Sequence, residues 1–231
     1  MKKTMLTAAA AFAALAVPAA AHAGSAEGKI QVKLLATGVL PDGDISRINN
    51  PGVLALPANA ALAANPHTYA SDNVVPTVAI EYFFTPNVSV ETICCVTKHH
   101  VNGAGSLATT NLVNNISIIP ATVTVKYHAP LGPIKPYLGV GPTLFLVLDS
   151  EPGATAATFS STTKLSSEAG VVVQAGVDVP LGSSGYALSL DAKKYWVSTN
   201  ARWYNAAGVE QLSTRHKLDP WVLSAGVAYR F

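Results

Sequence analysis

The segment Ile93 to His100 reads ICCVTKHH and contains both cysteines of the 231-residue chain and two of its six histidines. Thiolate and imidazole are the usual ligands of zinc and copper, and a thiol pair can also carry redox chemistry. Which chemistry is available depends on where each side chain points. If 88–97 is a strand, neighbours face opposite ways, so Cys94 points outward with Val88, Val90 and Val96, and Cys95 inward with Ser89, Glu91 and Ile93. Two such thiols cannot share a metal, and an extended strand does not supply the strained turn that a disulfide between adjacent cysteines needs. His99 lies five residues past Cys94, roughly 17 Å along a strand, where a loop is expected to begin. The segment reads as two small apolar fillers and a polar loop start, with no metal site and no cofactor. A metal or an intermolecular disulfide remains the alternative if the segment is not a strand.

A second set of reactive groups comes from the same alternation. Glu81, Glu91, Lys126, Asp178, Asp191, Lys193 and Arg230 all fall on one face of their strands. Paired carboxylates can act as acid and base. The competing use is a network of four acids and three bases that neutralise one another inside a narrow barrel and plug its periplasmic half. His67, His99, His100 and His216 lie in or near predicted loops, but no G-x-S-x-G element places a nucleophile beside them. The reading is therefore not an enzyme.

These assignments rest on strands, and the last segment shows the pattern most clearly. From Trp221 to Phe231 the odd positions are Trp, Leu, Ala, Val, Tyr and Phe, and the even ones Val, Ser, Gly, Ala and Arg. One face is apolar with aromatics at both ends, as for a strand with lipid outside and a polar lumen inside. The same period of two runs through 171–179, 119–127 and 78–84. Runs bounded by turn residues predict eight strands, near 29–39, 75–84, 88–97, 116–128, 134–147, 168–179, 186–198 and 221–231. Short connections rich in Pro, Gly and Asn alternate with long ones at about 40–74, 98–115, 148–167 and 199–220. The expected fold is all-β, an eight-stranded antiparallel transmembrane β-barrel of the outer-membrane type with long extracellular loops.

Composition agrees. Met1-Lys2-Lys3, an apolar run from Thr4 to Ala20 and Ala21-His22-Ala23 read as a signal peptide over 1–23, cleaved after Ala23, leaving 24–231 as the barrel. Without Lys2 and Lys3, 15 basic side chains become 13, matching the 13 acidic ones, so the balance offers nothing to nucleic acid. Charged residues are 12% of the chain against about 25% in ordinary soluble domains, and mean hydropathy is positive. After the leader no run is long and apolar enough for a membrane helix, which leaves a soluble β-protein with a large core or a barrel whose apolar face meets lipid.

Outward Tyr82, Phe84, Tyr127, Trp221, Tyr229 and Phe231 read as interfacial anchors. Val53, Leu54, Leu56 and Leu62 have no reason to stand in a water-facing loop and, with Trp196 and Trp203, form a candidate hydrophobic mouth. The alternatives are a short Ala-rich helix packed on its own loop for the first four residues and an interfacial anchor for the tryptophans.

The segments YFFTPNVSVE (82–91), IIPATVTVKY (118–127), KPYLGVGPT (135–143), QAGVDVPL (174–181) and LDPWVLSAGVAYRF (218–231) together resemble the outer membrane protein W (OmpW) family over most of the mature chain. The resemblance implies a Gram-negative outer-membrane location and passive passage of small hydrophobic or detergent-like molecules through a narrow, mainly apolar lumen, with exit sideways into the bilayer. The alternative function is a structural barrel whose loops act as an adhesin or as a phage or bacteriocin receptor. The expected partners are outer-membrane lipid, a small hydrophobic ligand and the outer-membrane assembly machinery, which would take the C-terminal strand. The first loop is longer and richer in Ala and Pro than the family pattern.

Overall fold

The computed structural model describes residues 28–129 and 131–231, so the expected leader at 1–23 lies outside the described residues. The strands, in chain order, are β1 (Ile30–Leu40), β2 (Asp44–Asn50), β3 (Pro66–Ala70), β4 (Asn73–Phe83), β5 (Val88–Cys94), β6 (Thr97–Gly105), β7 (Asn111–His128), β8 (Lys135–Pro152), β9 (Thr162–Leu165), β10 (Glu168–Pro180), β11 (Tyr186–Trp196), β12 (Ser198–Tyr204), β13 (Glu210–Lys217) and β14 (Trp221–Arg230). Eight of them close an antiparallel barrel in the order β1-β4-β5-β7-β8-β10-β11-β14, with β14 returning to β1 so that Gln31 faces Arg230 and Leu40 faces Trp221. These eight are the predicted strands, with ends shifted by a few residues. Closure pairs the backbone groups that an open sheet edge would leave bare in hydrocarbon.

Alternation sorts the side chains. Val173 and Val227 are 43% and 49% exposed on the outside, whereas Gln174 and Asp178 are 2% and 4% exposed within. At the short-turn end a belt of outward aromatics is in mutual contact: Tyr82 with Phe84 at 5.1 Å between ring centroids, Tyr186 with Tyr229 at 4.7 Å, and Tyr229 with Phe231 at 5.7 Å. Trp196 and Trp221 face outward at the other end.

The long connections depart from expectation. Most of their residues continue the wall upward instead of forming loops. β6 takes up the line of β5 and pairs with β7 and β3, while β2, β13, β12 and β9 form a separate four-stranded sheet. The alternation persists here: Thr97, His99 and Val101 are buried while Lys98 and His100 are exposed, and Thr199, Ala201 and Trp203 are buried while Arg202 is exposed. Ser, Thr and Asn on these strands look like loop composition, yet a sheet above the membrane can carry polar residues on its wet face. In the first connection the apolar stretch folds as two 3-10 turns, Gly52–Ala55 and Pro57–Asn59, and one helical turn, Ala60–Ala63. β7 bends at Asn115 (φ 49°), where its register with β8 slips between Asn114 and Ser117.

Candidate functional site

The lower lumen is filled by an ion network to which every barrel strand except β14 contributes. Glu81 on β4 and Glu91 on β5 stand directly opposite each other, a like-charge pair that destabilises an isolated ladder. Two lysines resolve it. Lys126 Nζ lies 2.9 Å from Glu81 Oε2 and 2.9 Å from Glu91 Oε2, and Lys33 Nζ lies 3.2 and 3.4 Å from the same two atoms. Lys33 also reaches Asp178 at 3.3 Å, and Lys193 bridges Asp191 at 2.6 Å and Glu91 at 3.3 Å. Neutral donors satisfy the remaining carboxylate oxygens. Gln174 Nε2 donates to Glu91 and Asp191, Tyr137 O–H to Asp191 at 2.8 Å, Gln31 Nε2 to Asp178 at 3.1 Å and Ser89 O–H to Glu81. His128 Nε2 sits 2.8 Å from Glu81 Oε1, and the Lys126 ammonium stands 3.7 Å above the centre of the Tyr137 ring. Burial this complete is tolerated when each ion is paired and hydrogen-bonded, as these are.

Six of the seven inward groups singled out in the sequence thus meet in one cluster. The seventh, Arg230, lies nearer the turn end, 3.5 Å over the Phe83 ring, with its Nε donating to the Gly28 carbonyl. Sequence reasoning missed Lys33, Gln31, His128 and Tyr137. Gln31 and Lys33 were detectable, because they share the odd positions of 29–39 with Leu35, Thr37 and Val39.

Above the network the lumen turns apolar. Leu35, Val39, Ile93, Ile118, Phe145 and Val222 line a narrow chamber. Higher still, Val53, Leu54, Leu56, Leu62, Leu112 and Trp203 line a second apolar space of about 260 Å³. Most of the buried apolar side chains of the two regions form one continuous cluster, and Leu35, Ala79 and Ile93 form a small separate one. Trp203 is 1% exposed and donates from Nε1 to the Leu112 carbonyl at 3.3 Å, so it is an interior wall residue of the upper space and not a rim residue. Trp196 corrects the sequence expectation of a mouth residue: it is 46% exposed, because the outward parity of β11 sends its ring to the lipid side beside Trp221. The four first-connection residues line one apolar space together, and the alternative short helical turn is present there too.

In ICCVTKHH, Cys94 is exposed and Cys95 buried, both as free thiols, and His99 is an interior residue that bonds the Ser71 carbonyl and Thr97, not a loop start. Among the described residues no three His, Cys, Asp or Glu side chains assemble as a metal-ligand set. The wall of the chamber is weakest near this segment. The β5–β7 ladder ends at Ile93 opposite Thr122 and the β6–β7 ladder starts at Thr97 opposite Ile118. Between them lies Pro120, which has no amide proton to donate and lines the chamber.

In the upper sheet, burial pushes the His216 ring's pKa down, partly opposed by its bond to the Gly43 carbonyl. Burial alone would raise Asp44, but bonds from the Thr68 and Ile45 amides and the His67 ring outweigh it and hold that carboxyl below its ordinary value.

A closed eight-stranded barrel with a lipid-facing apolar exterior, aromatic belts and a charged interior is an outer-membrane β-barrel protein. The OmpW family profile matches residues 26–231, and the chain belongs to that family. It is 30% identical to the uncharacterized outer-membrane protein y4mB of Sinorhizobium fredii over 163 residues, covering 70% of this chain and 67% of that one. It is 24% identical to outer membrane protein W of Vibrio cholerae over the full length of both. The crystal structure of OprG from Pseudomonas aeruginosa, at 21% identity, superposes with a TM-score of 0.74 over 90% of this chain and 98% of that chain, which shows the common fold. The protein resides in the Gram-negative outer membrane.

Proposed function

We propose that this barrel gives small hydrophobic molecules passive passage from the cell exterior into the outer membrane. The observation that carries this reading is the division of the lumen: a continuous apolar cluster from Leu54 and Leu62 of the first connection down to Val39, Cys95 and Ile118, a small separate cluster of Leu35, Ala79 and Ile93, and then a packed ion network. An apolar solute sheds water at the mouth, where Leu54, Leu56 and Leu62 gather, and finds apolar walls below. The ion network bars a straight path, since an apolar solute would have to displace paired charges without replacing their bonds. The interrupted ladder at Pro120 supports a sideways exit into acyl chains. A barrel serving only to anchor adhesive or receptor loops gains nothing from an apolar-walled chamber above its ion network, which favours the conduit.

The test is uptake into liposomes carrying wild type or Leu54→Ser/Leu56→Ser/Leu62→Ser protein, using an apolar dye and a small sugar. Wild type should admit the dye and exclude the sugar, and the variant should admit the dye several-fold more slowly. Equal and negligible uptake of both solutes by both proteins would refute the conduit.

A further inference from the structure

The floor of the chamber, where it meets the ion network, is polar and incompletely bonded. Thr77, Tyr195 and Lys193 all face it. Thr77 is 4% exposed, and its Oγ1 is buried with no hydrogen-bond partner among the described residues. The Tyr195 hydroxyl meets Thr122 Oγ1 at 3.5 Å, longer than a good O–H···O bond. Lys193 has three ammonium protons and two acceptors, Asp191 and Glu91. The register brings Thr77 toward the other two: the Tyr195 hydroxyl reaches Thr122, Thr122 stands opposite Ile93, and the β4–β5 ladder sets Ile93 and Cys94 against Ala79 and Val78, next to Thr77. A buried hydroxyl without a partner is costly, and native interiors rarely leave one unexplained.

Charge decides what kind of group would fit. Around the floor three lysines (33, 126 and 193) face four carboxylates (Glu81, Glu91, Asp178 and Asp191), with His128 against Glu81. No positive charge is in surplus, so an anionic head would enter an apolar chamber without a counter-ion of its own. An uncharged oxygen that donates and accepts suits Thr77, Tyr195 and the third Lys193 proton. From Leu35 to Pro41 the chamber follows six residues of chain, roughly 20 Å at ~3.3 Å each, so a medium-length hydrocarbon tail directed along it stays against apolar walls.

We propose that the chamber takes single-headed amphiphiles with a neutral oxygen head, alcohols or ketones, seated head-down on Thr77, Tyr195 and Lys193 with the tail toward the mouth. This rests on the chamber being the ligand path and names the ligand class it selects.

The experiment uses Trp203 at the upper end as reporter, in a Trp196→Phe/Trp221→Phe background so that quenching from the lipid side is removed. The probes are 10-bromodecan-1-ol, 1-bromodecane and 10-bromodecanoate, each titrated at pH 8. Head-down binding carries the bromine toward Trp203. The alcohol should half-saturate at a concentration at least fivefold below the bromoalkane, about the worth of one net hydrogen bond, and below the carboxylate. Thr77→Val should raise the alcohol's value about fivefold and leave the bromoalkane's unchanged. Equal values for alcohol and bromoalkane, or a carboxylate that binds tighter than the alcohol, would overturn the head-group assignment while leaving the conduit standing. No saturable quenching by any of the three would overturn both.

Discussion

Replacing Lys126 with Met removes the ammonium that separates Glu81 from Glu91 and leaves a side chain of similar length against the Tyr137 ring. Each of its two 2.9 Å contacts is worth about 6 kcal/mol gross at an effective dielectric of about 20, most of it offset by the cost of burying the charge. Losing one partner of a buried pair costs about 3–5 kcal/mol, because the stranded charge remains buried. Lys33, at 3.2 and 3.4 Å from the same oxygens, still shields both carboxylates and sets the expectation near the lower bound, about 3 kcal/mol. Adding Glu81→Gln removes the stranded charge, so the double variant should recover about 2 kcal/mol of that loss. Urea unfolding in phospholipid vesicles at pH 8, followed by tryptophan fluorescence and by the mobility of the folded band, measures all four members of the cycle. A loss below about 1 kcal/mol for the single variant, or strict additivity in the double, would show that the network is solvated and does not close the lumen.

Three further outcomes are expected. With Cys94→Ser removing the lipid-side thiol, Cys95 should react with a small apolar maleimide and resist a charged methanethiosulfonate of similar size; equal rates would mean that water fills the chamber. His216 takes a proton less readily folded than unfolded, so its contribution is complete above the unfolded histidine value of about 6.5 and is lost as pH falls through the lower folded value. Asp44, also depressed, loses its contribution at lower pH still, so amide protection factors in β12 and β13, referred to the intrinsic exchange rate at each pH, should fall as pH falls from neutral toward 5, and His216→Gln should flatten the first part of that fall. Gly141→Ala places a methyl 1.9 Å from the Val123 carbonyl oxygen and should destabilise by about 3 kcal/mol in vesicle unfolding, whereas Gly132→Ala, with open space and φ +65°, should cost about 1 kcal/mol.

The barrel was legible because lipid outside and a filled lumen inside impose a strict period of two. Trp221 to Phe231 carries that signal without ambiguity, and all eight strands followed from it. The same parity placed Glu81, Glu91, Lys126, Asp178, Asp191 and Lys193 in the lumen and separated Cys94 from Cys95. Parity says which face a residue takes and not its height or partner, so nothing distinguished Arg230 near the turns from the central network. The upper strands stayed hidden because water replaces lipid on one face above the membrane, and the contrast between faces fades. In β12 and β13 both faces carry Ser, Thr and Asn or Arg, and only the buried Ala201, Trp203 and Leu212 mark the interior. Trp203 was placed at the rim because its strand was taken for a loop.

Occupancy of the chamber is the central claim, and photo-crosslinking tests it most directly. A diazirine-bearing alkane added outside protein-containing vesicles, irradiated and mapped by mass spectrometry, should label Ile93, Cys95, Ile118 and Phe145 and spare Gln31 and Lys126 below them. Labelling confined to lipid-facing Leu34, Val173 and Val227 would contradict the account, since the alkane would then have met the barrel only through the membrane.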